Sequence, residues 1–154
     1  MSVLKSKRLE SKAEFVNTAN QIDWETINFL SRLSARYSRL IGERIANLSG
    51  EVATHAEEAN SMLPTDAERI HLRKVHLLQA RASLMALDVQ LGRCYMILMQ
   101  NPQGAFTNGS GQAVDASKAN KKLDNMAQHL GELIDKENSL LIGQLNYLKN
   151  PKQK

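Results

Sequence analysis

Cysteine occurs once in the 154 residues, at Cys94, so the chain forms no internal disulfide. Set among apolar neighbours, that thiol reads as a small core side chain in a reducing compartment. Proline occurs three times and aromatics make up only 5%. A composition so poor in strand formers, and rich in Leu, Ala and Ser, argues against a β protein. The sequence has no apolar run approaching the length of a membrane span. The basic start, residues 1–8, has no apolar segment behind it, which argues against a secretory signal. These absences together predict a cytoplasmic protein. The motifs of common chemistry are missing as well. His55, His71, His76 and His129 show neither HExxH nor any other paired-ligand spacing, one cysteine excludes a zinc knuckle, and there is no P-loop, GxGxxG or serine elbow. The sequence therefore calls for no cofactor, no metal and no catalytic residue. Neither sign of charge dominates. Twenty Lys and Arg against sixteen Asp and Glu leave a net charge of +4, which permits an acidic partner without requiring one.

What is present is helical periodicity over nearly the whole length, enough for one domain across 1–154. The first segment, about Leu9 to Met62, carries Phe15, Ala19, Ile22, Leu30, Leu33, Tyr37, Leu40, Leu48, Val52, Ala56 and Ala59 at three- and four-residue steps. So long a helix is unusual, and a break near Asp23 or Ser34 is expected, with Gly42 and Gly50 as further weak points. Thr65, with Glu68 three residues on, reads as a capping box for a second helix from Asp66 to about Gln100, which Pro102 ends. This helix has a main stripe of Leu77, Ala80, Leu84, Leu87, Leu91, Cys94 and Leu98. A second stripe holds Val75, Leu78, Ala82, Met85, Val89, Met96 and Met99. Whether the second side faces the same chain or another subunit is left open by the pattern. Residues 101–115 form a Gly/Asn/Ser-rich loop, and 106–114 suit either a small hairpin or a loop. Asp115 caps the last helix, whose stripe is Leu123, Met126, Leu130, Leu133, Ile134, Leu141, Leu145 and Leu148 with Glu137 in its middle. Residues 150–154 should fray. The fold expected is all-α, an antiparallel four-helix bundle with an insert before the last helix.

Two sets of charged residues invite a functional reading. Arg32, Arg36 and Arg39 recur at i, i+4, i+7 opposite the apolar stripe and should share one solvent face. Lys5, Lys7, Arg8 and Lys12 form a basic arm over residues 1–10 and just beyond. Arg69, Arg73 and Lys74 open the second long helix, and Lys118, Lys121 and Lys122 open the last, where the helix dipole disfavours cations. Taken singly, each is a solvated group with a local acid such as Glu43. Taken together they point to polyanion contact, without the aromatic platform that stacks single-stranded bases. The second set is Arg44, Arg81, Asp88 and Glu137. Helical phase puts these on or between apolar stripes, where they should form a buried polar network.

The segments FLSRLSARYSRL at 29–40, HLLQARASLMALD at 76–88 and KLDNMA at 122–127 resemble small four-helix-bundle proteins of bacterial and phage mobile elements. Among these they resemble the accessory variability determinant of diversity-generating retroelements, whose fold is shared with proteins encoded in intervening sequences of bacterial ribosomal RNA genes. The resemblance spans nearly the whole chain and rests on size, helix arrangement and charge, so no functional residue carries over. It implies a ring-like homopentamer, without chemistry of its own, whose basic surface binds a reverse transcriptase and RNA or RNA/DNA. The rival expectation is a structural or adaptor bundle that binds only protein. A carboxylate–metal bundle enzyme ranks last, because the sequence lacks the two Glu-x-x-His pairs on facing helices that such a core needs.

Overall fold

The computed structural model describes residues 13–106 and 114–149. Among them are four long helices and no strand: α1 (Glu14–Leu30), α2 (Glu43–Ser61), α3 (Ala67–Gln100) and α4 (Ala116–Lys149). The basic arm expected over 1–12, most of the 106–114 insert and the fraying expected at 150–154 lie outside the described residues.

The first segment is two helices rather than one, and of the two expected breaks the one near Ser34 is realised. After Leu30 the chain tightens into i→i+3 bonds, Arg32 N–H to Phe29 O and Leu33 N–H to Leu30 O. Ser31 Oγ donates back to Asn28 O at 2.6 Å, the local side-chain bonding by which serine competes with helix. Ser34 then takes an extended conformation and its hydroxyl accepts from Tyr37 N–H, starting a short turn at Ala35–Tyr37. A π-helical turn, Ser38–Gly42, leads into α2. Gly42 is buried there, and a β-carbon on it would sit 3.1 Å from Ser38 Oγ, so the wide turn suits a residue without a side chain. The π turn adds a residue to the helical count and rotates everything after it by about 100°. Leu40, within this turn, and Tyr37, just before it, were expected on the apolar stripe and are exposed.

The cap of α3 also differs from expectation. Asp66, not Thr65, is the N-cap, and its Oδ1 accepts from Arg69 N–H at 2.9 Å. Thr65 Oγ1 instead accepts from the Arg69 guanidinium. Asp115 caps α4 as read from the sequence, accepting from Ser117 and Lys118 N–H.

Each helix packs on two others: α1 on α2 and α4, and α3 on α2 and α4. The shared core holds Phe15, Ile22 and Phe29 of α1, Ile45, Val52 and Ala56 of α2, with Leu123, Leu130 and Leu141 of α4. From α3 it takes the whole main stripe, Leu77 through Leu98. Most of the second stripe of α3 is uncovered, whereas Val75 and Met99 at its ends are half-buried. Leu78, Met85, Val89 and Met96 are 45%, 39%, 66% and 71% exposed. Their spacing places these four within an arc of about 40° and along about 27 Å of helix. By length and composition α3 does qualify to cross a membrane, contrary to the sequence expectation, with an 18-residue window of mean hydropathy 1.2. In the bundle its main stripe is instead buried against the other helices.

Candidate functional site

The basic residues do not fall where the sequence reading placed them. Arg32, Arg36 and Arg39 belong to three different local structures, the end of α1, the short turn and the π turn, rather than to one helical stripe. Arg32 is half-buried, its guanidinium carbon 4.5 Å from the centroid of the Phe106 ring. Lys122 of α4 brings its ammonium nitrogen 5.2 Å from the same ring. Phe106 is buried, held by a 3-10 turn, Pro102–Ala105, that follows α3. Two cations from distant parts of the sequence thus share one aromatic, an arrangement in which the ring quadrupole offsets part of their mutual repulsion.

The basic groups that neighbour these two in sequence are exposed. Arg36, Arg39 and Arg44 follow Arg32 in the chain, Lys118 precedes Lys122 by about a turn and Lys121 is its immediate neighbour. Among the described residues Arg36, Arg39, Arg44 and Lys121 have no ion-pair partner; Lys118 sits 4.0 Å from Asp115 at the surface. Arg39 and Arg44 line one open groove with Glu43, Asn47, Glu51 and Gln90. Lys74 is exposed, and Arg69 is exposed and paired with Asp66 at 3.5 Å.

Arg73 is a correction. It was expected on the nucleic-acid face, but it is 8% exposed. Its guanidinium donates to Ala59 O at 2.8 Å, Met62 O at 3.2 Å and Gln144 Oε1 at 2.9 Å, and lies 5.8 Å from the Phe15 ring. It closes the carbonyl end of α2 and ties α2, α3 and α4 together, using carbonyls that a helix terminus leaves without partners.

The expected network of Arg44, Arg81, Asp88 and Glu137 does not form. Arg44 and Asp88 are exposed. The π turn moved Arg44 off the stripe, and only one of the two stripes flanking Asp88 is covered. Arg81 is half-buried and donates to Asn138 Oδ1 at 3.0 Å. Glu137 is fully buried, and neither carboxylate oxygen has a hydrogen-bond partner. Burial pushes its carboxyl up to about 8, with the Lys136 charge opposing and the Glu14 charge adding. Glu14 and Lys136 pair with each other at 3.0 Å.

Sequence reasoning missed a cluster at the α2–α3 contact. His55 Nδ1 lies 2.9 Å from Glu58 Oε2, and His76 Nδ1 lies 2.8 Å from the same oxygen. The rings stack with centroids 5.8 Å apart. His55-x-x-Glu58 is visible in the sequence as a one-turn pair, whereas His76 joins it only through the register of α3 on α2.

No known protein family, curated protein or solved structure matches the chain. The functional reading therefore stands on the residues themselves.

Proposed function

We propose that the protein is a non-enzymatic accessory factor: an antiparallel four-helix bundle that self-associates and binds structured nucleic acid, RNA foremost, on behalf of a reverse transcriptase. The antiparallel arrangement is supported by the order of cross-helix pairs. On α2 and α3 these are Glu58 with His76 and Glu51 with Ser83; on α3 and α4, Arg73 with Gln144 and Arg81 with Asn138. The observation that carries the nucleic-acid reading is the meeting of Arg32 and Lys122 over Phe106. It joins the basic junction before α2 to the basic start of α4, and Arg36 and Arg39 on the one and Lys118 and Lys121 on the other are exposed. A phosphate backbone is the ligand that rewards several uncommitted cations, and a duplex or hairpin presents more phosphates per unit length than an extended single strand. A thiol-based activity is disfavoured because Cys94 is buried and its thiol is pushed up to about 12 by desolvation. The reverse-transcriptase partner, the assembly into five copies and a cytoplasmic location follow from the sequence reading. The uncovered α3 stripe supplies an apolar surface for self-association.

Fluorescence anisotropy with a labelled RNA hairpin tests the reading. A variant carrying Arg36→Glu, Arg39→Glu, Lys118→Glu and Lys121→Glu should lose binding while keeping its helical circular dichroism, because all four side chains are exposed. Equal binding by both proteins contradicts it. A second reading, an adaptor bundle that binds only protein, is favoured by the same α3 stripe. It predicts no RNA binding near physiological salt and loss of partner binding when Val89 and Met96 are made polar.

A further inference from the structure

The geometry points to a divalent transition-metal site, zinc in class, formed by His55 Nδ1, Glu58 Oε2 and His76 Nδ1 between α2 and α3. All three ligand atoms lie within 4.8 Å of one another. Four-coordinate zinc with nitrogen and oxygen ligands at about 2.0–2.2 Å holds neighbouring ligand atoms about 3.3 Å apart. The two nitrogens stand 2.9 and 2.8 Å from the carboxylate oxygen, a few tenths of an ångström short of that spacing, and within 4.8 Å of each other, so side-chain movement is what an ion requires.

Hydrogen bonding alone accounts for only part of this arrangement. One imidazole, His55, donates properly to Glu58 Oε2 in the appropriate tautomer. The other does not: His76 Nδ1 is buried, and although it lies 2.8 Å from that oxygen its orientation makes no hydrogen bond. A buried polar atom left without a partner is costly, and a cation shared by both imidazoles and the carboxylate removes the deficit. Two imidazoles with one carboxylate select zinc and its first-row neighbours over magnesium or calcium, which require oxygen ligands.

The scaffold is fixed on both sides. Arg73, about one turn before His76, bonds Ala59 O and Met62 O of the α2 end, and Ser83 Oγ donates to Glu51 Oε2 at 3.1 Å further along. The α2–α3 register that creates the cluster is thus set by contacts outside it. Glu58 is 42% exposed in its side chain, so a fourth position faces solvent, as in zinc sites with three protein ligands and a water. The site is independent of the nucleic-acid reading, since none of its residues belongs to the basic surface.

Isothermal titration of zinc chloride into the chelator-treated full-length protein provides the test. One ion per chain should bind saturably. His55→Gln, Glu58→Gln and His76→Gln should each weaken binding by more than about tenfold, a loss at least as large as that from removing outer-shell partners. His71→Gln should bind like wild type, because His71 is exposed on α3 outside the cluster. Imidazole nitrogen NMR on the unmutated protein guards against a variant that fails to fold: zinc should shift the ring nitrogens of His55 and His76 and leave those of His71 and His129 in place. Absence of saturable binding, unchanged affinity in folded His76→Gln, or zinc-dependent shifts at His71 or His129 in place of the cluster would each overturn the site.

Discussion

Replacing Glu137 with glutamine is expected to stabilise the protein, and by an amount that grows with pH. Glu137 is fully buried in the α4 stripe, and its two oxygens lack hydrogen-bond partners. Burial therefore raises its carboxyl from 4.5 to about 8 in the folded protein. A carboxyl raised on folding makes the folded state the better proton binder, so stability is fully present below the unfolded value and is lost as pH rises toward the folded one. Each pH unit between the two values costs about 1.4 kcal/mol. By pH 7 the unfolded chain has released this proton and the folded one has kept it, a loss of about 3 kcal/mol relative to acid conditions. Glutamine fills the same volume, is equally short of partners and has no charge to lose. The variant should match wild type near pH 4, gain about 1 kcal/mol at pH 5 and gain about 3 kcal/mol at pH 7. Urea unfolding of both proteins across that range measures the difference directly, and other titrating groups cancel in the comparison. A pH-independent difference, or a glutamine variant less stable than wild type at pH 7, refutes the assignment of a buried, unpaired carboxyl.

Three further outcomes follow from the packing. Arg73→Ala leaves Ala59 O, Met62 O and Gln144 without their donor and should cost about 2–4 kcal/mol in chemical denaturation; a change under about 0.5 kcal/mol means the guanidinium is not buried. Cys94, with its thiol pushed up to about 12 by burial, should resist a thiol reagent at pH 8 in the native protein and react at once in denaturant; rapid native labelling contradicts its place in the core. Val89→Glu with Met96→Glu places charges on the uncovered stripe and should reduce the light-scattering mass to that of one chain with the helical signal retained; a wild type already of one-chain mass removes self-association from the account.

The apolar part of the buried face of α3 was legible, because a uniform helix of 34 residues keeps its phase from Leu77 to Leu98. The Ser34 break and the Asp115 cap were legible for a local reason: serine and aspartate next to a helix start bond the nearby backbone. Arg44 was misplaced because phase was carried across the break at Ser34 and the π turn at Ser38–Gly42, after which the helical count no longer holds. Arg73 looked like a surface cation because its partners, Ala59 O, Met62 O and Gln144, lie on other helices and nothing near it in sequence announces them. The convergence of Arg32 and Lys122 on Phe106 and that of His76 on His55 and Glu58 were hidden for the same reason. Each depends on helix register, which residue spacing within one helix does not specify. Glu137 was correctly placed in the α4 stripe, but the partners expected for it, Arg44 and Asp88, turned out to face solvent.

The central claim is that a phosphate backbone binds the basic surface centred on Arg32, Lys122 and Phe106. Measuring RNA affinity over a range of salt concentrations tests it most directly, because each phosphate contact contributes about −0.7 to −0.9 to the slope of log affinity against log salt. The wild type should show a steep negative slope. The variant with Arg36, Arg39, Lys118 and Lys121 reversed to glutamate should show a slope shallower by about 3 for each chain engaged, if any binding remains to be measured. A flat slope for the wild type, or the same slope in both proteins, would contradict the account.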